Sequence, residues 1–179
     1  MMNRTKLKAL VHYVIAKSEP SRLGAIRLNK ILWYTDALSF RATGASISGE
    51  TYIKRQNGPV SQHVLSLLGE LEHENAIVIR TRELYAHNIT EYISLTEPDT
   101  SALSPQDVAT VETMREHICE NFTANEISEA SHDLAWQAAN IGEEIPLFAT
   151  LATSPGEMTN KVQTWADLAI SRYEEHLGS

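Results

Sequence analysis

Apolar residues recur at helical spacing along much of the chain, and polar stretches with helix breakers separate the periodic segments. Each such stripe predicts an amphipathic helix that buries one face. Gly44 suits a left-handed cap at the end of the second helix. Ser104 suits an N-cap, and Thr123 with Glu126 has the spacing of a capping box. Pro59 suits the first turn of the third helix, because the amide hydrogen that proline lacks would have no partner there. The predicted helices cover about residues 3–17, 23 or 27 to 43, 59–75, 104–121, 123–136 and 157–176.

Two short runs rich in β-branched residues interrupt this helical pattern. Residues 76–79 and 89–95 flank a polar connection, which is typical of a β-hairpin. Residues 47–56 form a short extended segment in which a paired strand is allowed but not required, and residues 141–155 resemble a loop. The pattern predicts a mainly α fold: a single compact helical domain over residues 1–179 with a small β-hairpin or short antiparallel sheet.

Charge and composition narrow the choice of partner. The formal net charge is −8, with basic residues concentrated in the first quarter of the chain and the acidic excess in the C-terminal half. Because phosphate contacts dominate nucleic-acid affinity, this balance argues against a nucleic-acid partner. The sequence shows no signal peptide and no apolar run of membrane-spanning length. We therefore expect a cytoplasmic protein that has no membrane partner.

No group of residues in the sequence matches a catalytic or metal site. Cys119 lies two positions from His117, so on a helix the two side chains point in different directions. The seven histidines form no i, i+4 pair, and no Cys/His spacing is that of a zinc site. We expect no enzyme, no catalytic residues, no metal and no cofactor. His132 is a candidate recognition residue because Trp136 follows it at i+4; the alternative is a buried ring whose nitrogens bond to backbone.

Several segments of the chain together resemble one family, the Panacea-domain family of SocA-like, phage-associated antitoxins. Residues 27–36 resemble its K-L-N-K-L-L-Y-F-A-D helix. Departures from the family pattern are Trp33 in place of tyrosine, Asn57 in place of an aromatic residue and Ser131 in place of threonine. The other matches, within a motif-bearing core of about residues 7–145, are residues 46–52 with I-T-G-D-T-Y, 57–60 with Y-G-P-V, 68–72 with L-x-E-L-E and 127–136 with L-S-x-x-T-H-x-x-x-A-W.

The resemblance implies an antitoxin of a two-gene toxin–antitoxin pair, which neutralises a cognate protein toxin by direct contact. It also implies a variant in which the protein is a proteolytic adaptor that delivers its toxin to a Clp-type protease. Because the family uses one scaffold against unrelated toxins, we expect the shared residues to serve the fold in the main. The motif residues that are candidates for partner binding are Asn29, Lys30, Tyr34, Asp36, Tyr52, Gly58, Pro59, His132 and Trp136.

The alternative function is that of a winged-helix DNA-binding transcriptional regulator. The predicted third helix followed by the hairpin has the order of a recognition helix and a wing. Against this interpretation, the helix carries Glu70, Glu72 and Glu74 and almost no arginine or lysine. A hydrolase that uses His132 ranks last, because no matching nucleophile and oxyanion site are visible in the sequence.

Overall fold

Two long helices, α1 (Arg4–Lys17) and α2 (Pro20–Thr43), lie at the centre of the fold. The side chain of Asn3 caps α1 by accepting a hydrogen bond from the Lys6 amide at 3.0 Å. Gly24 has a φ of +59° and interrupts α2 near its predicted start. Gly44 has a φ of +79°, which confirms the predicted left-handed cap. The apolar stripes face the core through Leu7, Leu10, Val11, Val14, Leu28, Ile31 and Leu32.

The structure is a computed structural model and describes residues 2–84 and 87–152. The described part of the chain is mainly helical, with two small antiparallel hairpins, as the sequence predicts. The predicted helix over residues 157–176 lies outside the described residues. After α2, the elements in chain order are β1 (Tyr52–Arg55), β2 (Gly58–Ser61), α3 (Val64–His73), β3 (Ile77–Leu84), β4 (His87–Ser94), α4 (Pro105–Asn121), α5 (Ala124–Ala130), α6 (Leu134–Ala138) and α7 (Ala149–Ala152).

The predicted hairpin is formed by β3 and β4, which pair in register from Ile77 opposite Ser94. Ile77 and Tyr92 are buried in the core, while most β3 side chains beyond Ile79 are exposed. The hairpin is therefore attached to the core at one end, and its charged far half lies at the surface.

Gly58 and Pro59 do not begin the third helix, so that prediction is wrong. They form β2, with Pro59 opposite Lys54 on β1, and α3 begins only at Val64. The positive φ of Gly58, +97°, belongs to a tight turn that joins the two strands. Proline is tolerated in β2 because, among the described residues, β2 is an edge strand paired only with β1.

The predicted helix over residues 123–136 is two helices, α5 and α6, separated by Ser131, His132 and Asp133. The capping box at Thr123 is confirmed, since its side chain accepts from the Glu126 amide. The side chain of Asp133 then caps α6 by accepting from the Trp136 amide at 2.9 Å. This second cap explains the break, because an N-cap residue has non-helical backbone angles. Residues 149–152, predicted as loop, form the short α7.

Basic side chains of α1 form ion pairs with acidic residues of other elements. Lys6 Nζ lies 2.8 Å from Asp107 Oδ2 at the start of α4, where the predicted Ser104 cap is confirmed and Asp107 completes a capping box. Lys8 pairs with Glu74 at 2.6 Å, and Arg4 pairs with Glu70. These pairs join α1 to α3 and α4. Among the described residues, no helix is long and apolar enough to cross a membrane.

Candidate functional site

Three segments that lie far apart in the sequence meet at one place, which we call the motif junction. It consists of Lys30 on α2, Gly58 and Pro59 on β2, and Ser131 and His132 between α5 and α6. Lys30 Nζ donates a hydrogen bond to the Pro59 carbonyl at 3.0 Å. A Cβ added at Gly58 would overlap both Lys30 Nζ and Ser131 Oγ, so only glycine fits. The hairpin β1–β2 therefore sits against α2 and the α5–α6 break without room between them.

Lys30 is buried, with 1% of its surface exposed. Burial disfavours the charged ammonium and lowers its pKa to about 7. The amine donates its hydrogen bond to a neutral carbonyl and not to a carboxylate. An amine with this pKa can act as a nucleophile where a substrate reaches it. Because Lys30 is enclosed, we assign it instead to joining α2 and β2.

A second buried network surrounds Asp36 on α2. Its carboxylate accepts from the Ser48 amide at 2.9 Å, from the Tyr52 hydroxyl at 2.8 Å and from Ser48 Oγ. Burial raises the pKa of Asp36, and the hydrogen bonds from Ser48 and Tyr52 act in the opposite direction. The Tyr52 ring also packs edge-on against Trp33, with centroids 5.0 Å apart. This network fixes the segment before β1 on α2.

His132 and Trp136 form a ring stack, with centroids 3.9 Å apart and planes inclined by 17°. Lys54 on β1 places its Nζ 3.8 Å from the centroid of the Trp136 ring and donates to the Ala139 carbonyl at 2.9 Å. Trp136 Nε1 donates to the Arg55 carbonyl at 3.1 Å. The pKa of His132 is lowered by burial and by the charge of Lys30. The contacts of Trp136 with Lys54 and Arg55 thus attach α6 to β1.

Two further hydrogen bonds hold the same hairpin from α2 and α5. Asn29 Oδ1 accepts from the Ser61 amide at 3.0 Å, and Asn29 Nδ2 donates to the Ala25 carbonyl at 3.0 Å. Ser128 Oγ donates to the Asn57 carbonyl at 3.1 Å. These bonds satisfy backbone groups of the strand end and the turn, which would otherwise be costly to bury.

The nine candidate partner-binding residues divide into two groups by exposure. Those that are half-buried are Asn29, Tyr34, His132 and Trp136, and those that are buried are Lys30, Asp36, Tyr52, Gly58 and Pro59. Burial speaks against direct partner contact for the second group, because their polar atoms are enclosed and bonded within the chain. His132 and Trp136 do meet, although a helix break, and not a shared helical face, brings them together.

Several buried residues in or near the motif junction are absent from the sequence-based candidates. Lys54 is the clearest, and a signal existed: side chains two apart in a strand share a face, so Lys54 follows Tyr52 inward. Glu50 is buried and its Oε1 lies 2.9 Å from His63 Nδ1, a contact that no sequence spacing indicates. Ser48 and Ser131 are likewise buried, and only the packing of distant segments reveals it.

The described residues offer little support for catalysis. Burial raises the pKa of the Cys119 thiol, which keeps it protonated and a poor nucleophile. Burial lowers the pKa of His117 to about 4. Within residues 2–84 and 87–152, no three His, Cys, Asp or Glu side chains are placed so that they could hold a metal ion.

Comparison with known proteins gives one match. No curated protein and no solved structure matches the chain. The family model described as "Antitoxin SocA-like, Panacea domain" matches residues 28–137, more than half of the chain. The matched range begins in α2 and ends just after Trp136, so it contains the whole motif junction. The chain therefore belongs to the SocA-like antitoxin family and carries its Panacea domain over residues 28–137.

Proposed function

We propose that this protein is an antitoxin that neutralises a cognate protein toxin by direct binding. Membership of the antitoxin family supports the general role. The observation that supports binding as the mechanism is that the motif residues are buried and form hydrogen bonds within their own chain. Lys30, Asp36 and Tyr52 bond to backbone or side chains of their own chain and are almost fully enclosed. A domain whose characteristic residues build a rigid scaffold is suited to binding through its surface.

A non-enzymatic role agrees with this family. Neutralisation then requires only that most of the toxin be bound at the concentrations found in the cell. A dissociation constant in the nanomolar range corresponds to a binding free energy of about −12 kcal/mol. An interface of ordinary size, burying roughly 1,600 Å² in total, is sufficient for such an affinity.

The test begins with the gene adjacent to the one that encodes this chain. Expression of its product alone should arrest growth, and co-expression with this chain should restore it. The two purified proteins should elute together in size-exclusion chromatography. An empty vector and a chain with Gly58→Ala, which should not fold well, serve as controls. Continued growth arrest on co-expression, together with the absence of a complex, would contradict the proposal.

A proteolytic adaptor gives a different result in the same experiment. If the chain delivers its toxin to a Clp-type protease, rescue should disappear in a strain that lacks that protease, and the toxin's half-life should shorten when the chain is present. Simple neutralisation predicts rescue in both strains and an unchanged or longer half-life. Toxin half-life, measured after translation is blocked, therefore separates the two mechanisms.

A DNA-binding regulator receives no support from the helix that would enter the groove. Glu70 and Glu74 at the side of α3 are paired with Arg4 and Lys8 of α1, and Glu72 accepts from the Ile79 amide at 3.1 Å. Their negative charge disfavours the approach of α3 to the phosphates of DNA. A gel shift on the chain's own promoter at low salt is expected to show no complex.

A further inference from the structure

The net charge of the chain is concentrated in one stretch. Residues 1–115 contain thirteen Lys and Arg against twelve Asp and Glu, so they are close to neutral. Residues 116–152 contain seven Asp and Glu and no Lys or Arg. Almost the whole net charge of −8 therefore comes from this stretch. Six of its acidic residues are exposed, namely Glu116, Glu120, Glu126, Glu129, Glu143 and Glu144.

The same stretch also exposes large apolar side chains. Leu134 is 58% exposed, Ile141 64%, Phe148 65% and Leu151 59%. Elsewhere in the described part of the chain, the large exposed apolar residues are Leu65 on α3 and Val78 and Leu95 on the β3–β4 hairpin. Helices α6 and α7 carry Leu134 and Leu151 and contact each other, and Phe148 directly precedes α7. We call Leu134, Ile141, Phe148 and Leu151, together with the exposed Glu129, Glu143 and Glu144 of the same stretch, the acidic apolar face.

Clustered exposed apolar residues with a polar rim are typical of a protein-binding surface. Like charges on both sides disfavour a second copy of this chain as the occupant. The chain's own residues 153–179 have two Lys and Arg against four Asp and Glu, so they also carry the wrong sign of charge. A partner with an apolar patch bordered by lysine and arginine complements both features of the face.

We propose that the acidic apolar face is the surface that binds the toxin, and that the toxin presents an apolar patch bordered by basic side chains. This inference rests on the proposed function, since it names the surface through which neutralisation occurs. It also explains why the buried motif junction matters: β1 and the junction support α6, and the segment after α6 is bonded to β1. Lys54 N donates to the Glu143 carbonyl at 2.8 Å, and Ile145 N donates to the Tyr52 carbonyl at 2.7 Å.

The apolar half of the face is tested by Phe148→Ser combined with Leu151→Ser in the full chain. The probe is the purified product of the adjacent gene, with binding measured by biolayer interferometry and function by growth rescue. We expect binding to weaken at least about tenfold, because truncation of central interface residues dominates binding loss. The control is Leu65→Ser on α3, which is 78% exposed and outside the face, and should bind like the wild type. Circular dichroism melting checks that all variants remain folded.

The charged half is tested by Glu129→Lys combined with Glu144→Lys. Because long-range attraction acts on encounter, we expect a slower association rate and a weaker dependence on salt between about 50 and about 300 mM. The matched control is Glu83→Lys with Glu97→Lys, two acidic residues outside residues 116–152. This control changes the net charge equally and should keep most of the wild-type association rate.

The outcomes separate the surface from the function. If the wild type neither binds the probe nor rescues growth, the proposed function fails and this inference fails with it. If the wild type binds and rescues, and the Phe148/Leu151 variant binds equally well, only the surface is wrong. Two other results would also overturn the inference. One is a dimer of the free chain that the serine variant dissociates. The other is amide protection of residues 141–151 in the free chain that is abolished by Trp165→Ser, a substitution in the helix predicted over residues 157–176.

Discussion

The hairpins β1–β2 and β3–β4 are both two-stranded and antiparallel, but they place their polar contacts in opposite environments. The first is bonded to Lys30 and Asp36, which are 1% and 0% exposed. In the second, Glu91 contacts Arg80 at 2.7 Å and Arg82 at 3.2 Å, and these arginine side chains are 60% and 49% exposed. At the second hairpin solvent reaches the arginine side of each contact, although the Glu91 side chain is 3% exposed, whereas Lys30 and Asp36 at the first hairpin are both enclosed.

This difference indicates which hairpin determines the scaffold. A buried polar atom that loses its partner costs about 1–3 kcal/mol, and more if it is charged. An exposed ion pair contributes little because solvent screens it and two long side chains must be ordered. The first hairpin should therefore be sensitive to single substitutions and the second tolerant of them. The following substitutions test this contrast in order of decreasing effect.

Gly58→Ala should have the largest effect. The added Cβ would overlap Lys30 Nζ and Ser131 Oγ, and the backbone has a φ of +97°. Together the backbone strain and the displaced neighbours should lower the free energy of unfolding by about 4 kcal/mol, measured by urea denaturation. Gly44→Ala is the matched control: its φ is +79°, but nothing lies within 4 Å of the added carbon. An equal loss of unfolding free energy in both variants would mean that the close packing of Gly58 at the motif junction adds nothing to the cost of backbone strain.

Asp36→Ala should follow, with a loss of about 3 kcal/mol, because the Ser48 amide and the Ser48 and Tyr52 hydroxyls lose their acceptor. Asp36→Asn keeps the shape and one acceptor oxygen, so it should lose less. Chemical denaturation followed by Trp fluorescence would measure both. A variant Asp36→Ala as stable as the wild type would show that the buried network does not hold β1 on α2.

Lys30→Met should change the pH dependence of stability. The pKa of Lys30 is about 7 in the folded chain, below its ordinary 10.5. Between these values the unfolded state binds more protons, so the wild-type free energy of unfolding should rise with pH, by roughly 2 kcal/mol from about pH 7 to about 9. Lys30→Met should lack this rise. Lys17→Met, at the exposed end of α1, is the control and should keep it. If the free energy of unfolding changed with pH in the same way in the wild type and in Lys30→Met, the lowered pKa of Lys30 would be contradicted.

Arg80→Ala in the second hairpin should have the smallest effect. The Arg82 contact to Glu91 remains, and solvent reaches the vacated position. We expect a thermal midpoint that calorimetry cannot separate from that of the wild type. A loss comparable to that of Asp36→Ala would remove the contrast between the two hairpins.

Local sequence signals predicted helix starts and ends correctly where the residues of one short segment alone determine them. Asn3, Ser104 and Thr123 were correctly interpreted as helix starts, and Gly44 as a helix end, because cap chemistry involves only neighbours within a turn. Gly58-Pro59 does not by itself distinguish a helix start from a hairpin turn, because the pair suits both. The predicted start of the third helix at Pro59 was therefore wrong. Asp133 carried a correct N-cap signal, but the helical periodicity on both sides of it concealed the break.

By itself, the sequence determined the periodic helices, the family and the uneven distribution of charge, all of which depend on residue order alone. Only the tertiary structure decided which motif residues face inward. Lys30 and Pro59 are 29 positions apart, and Trp136 and Arg55 are 81 apart, so no local pattern indicates that they bond. Burial is a property of what packs against a residue. For that reason the junction became visible only when distant segments were brought together, and the exposed acidic apolar face became visible with it.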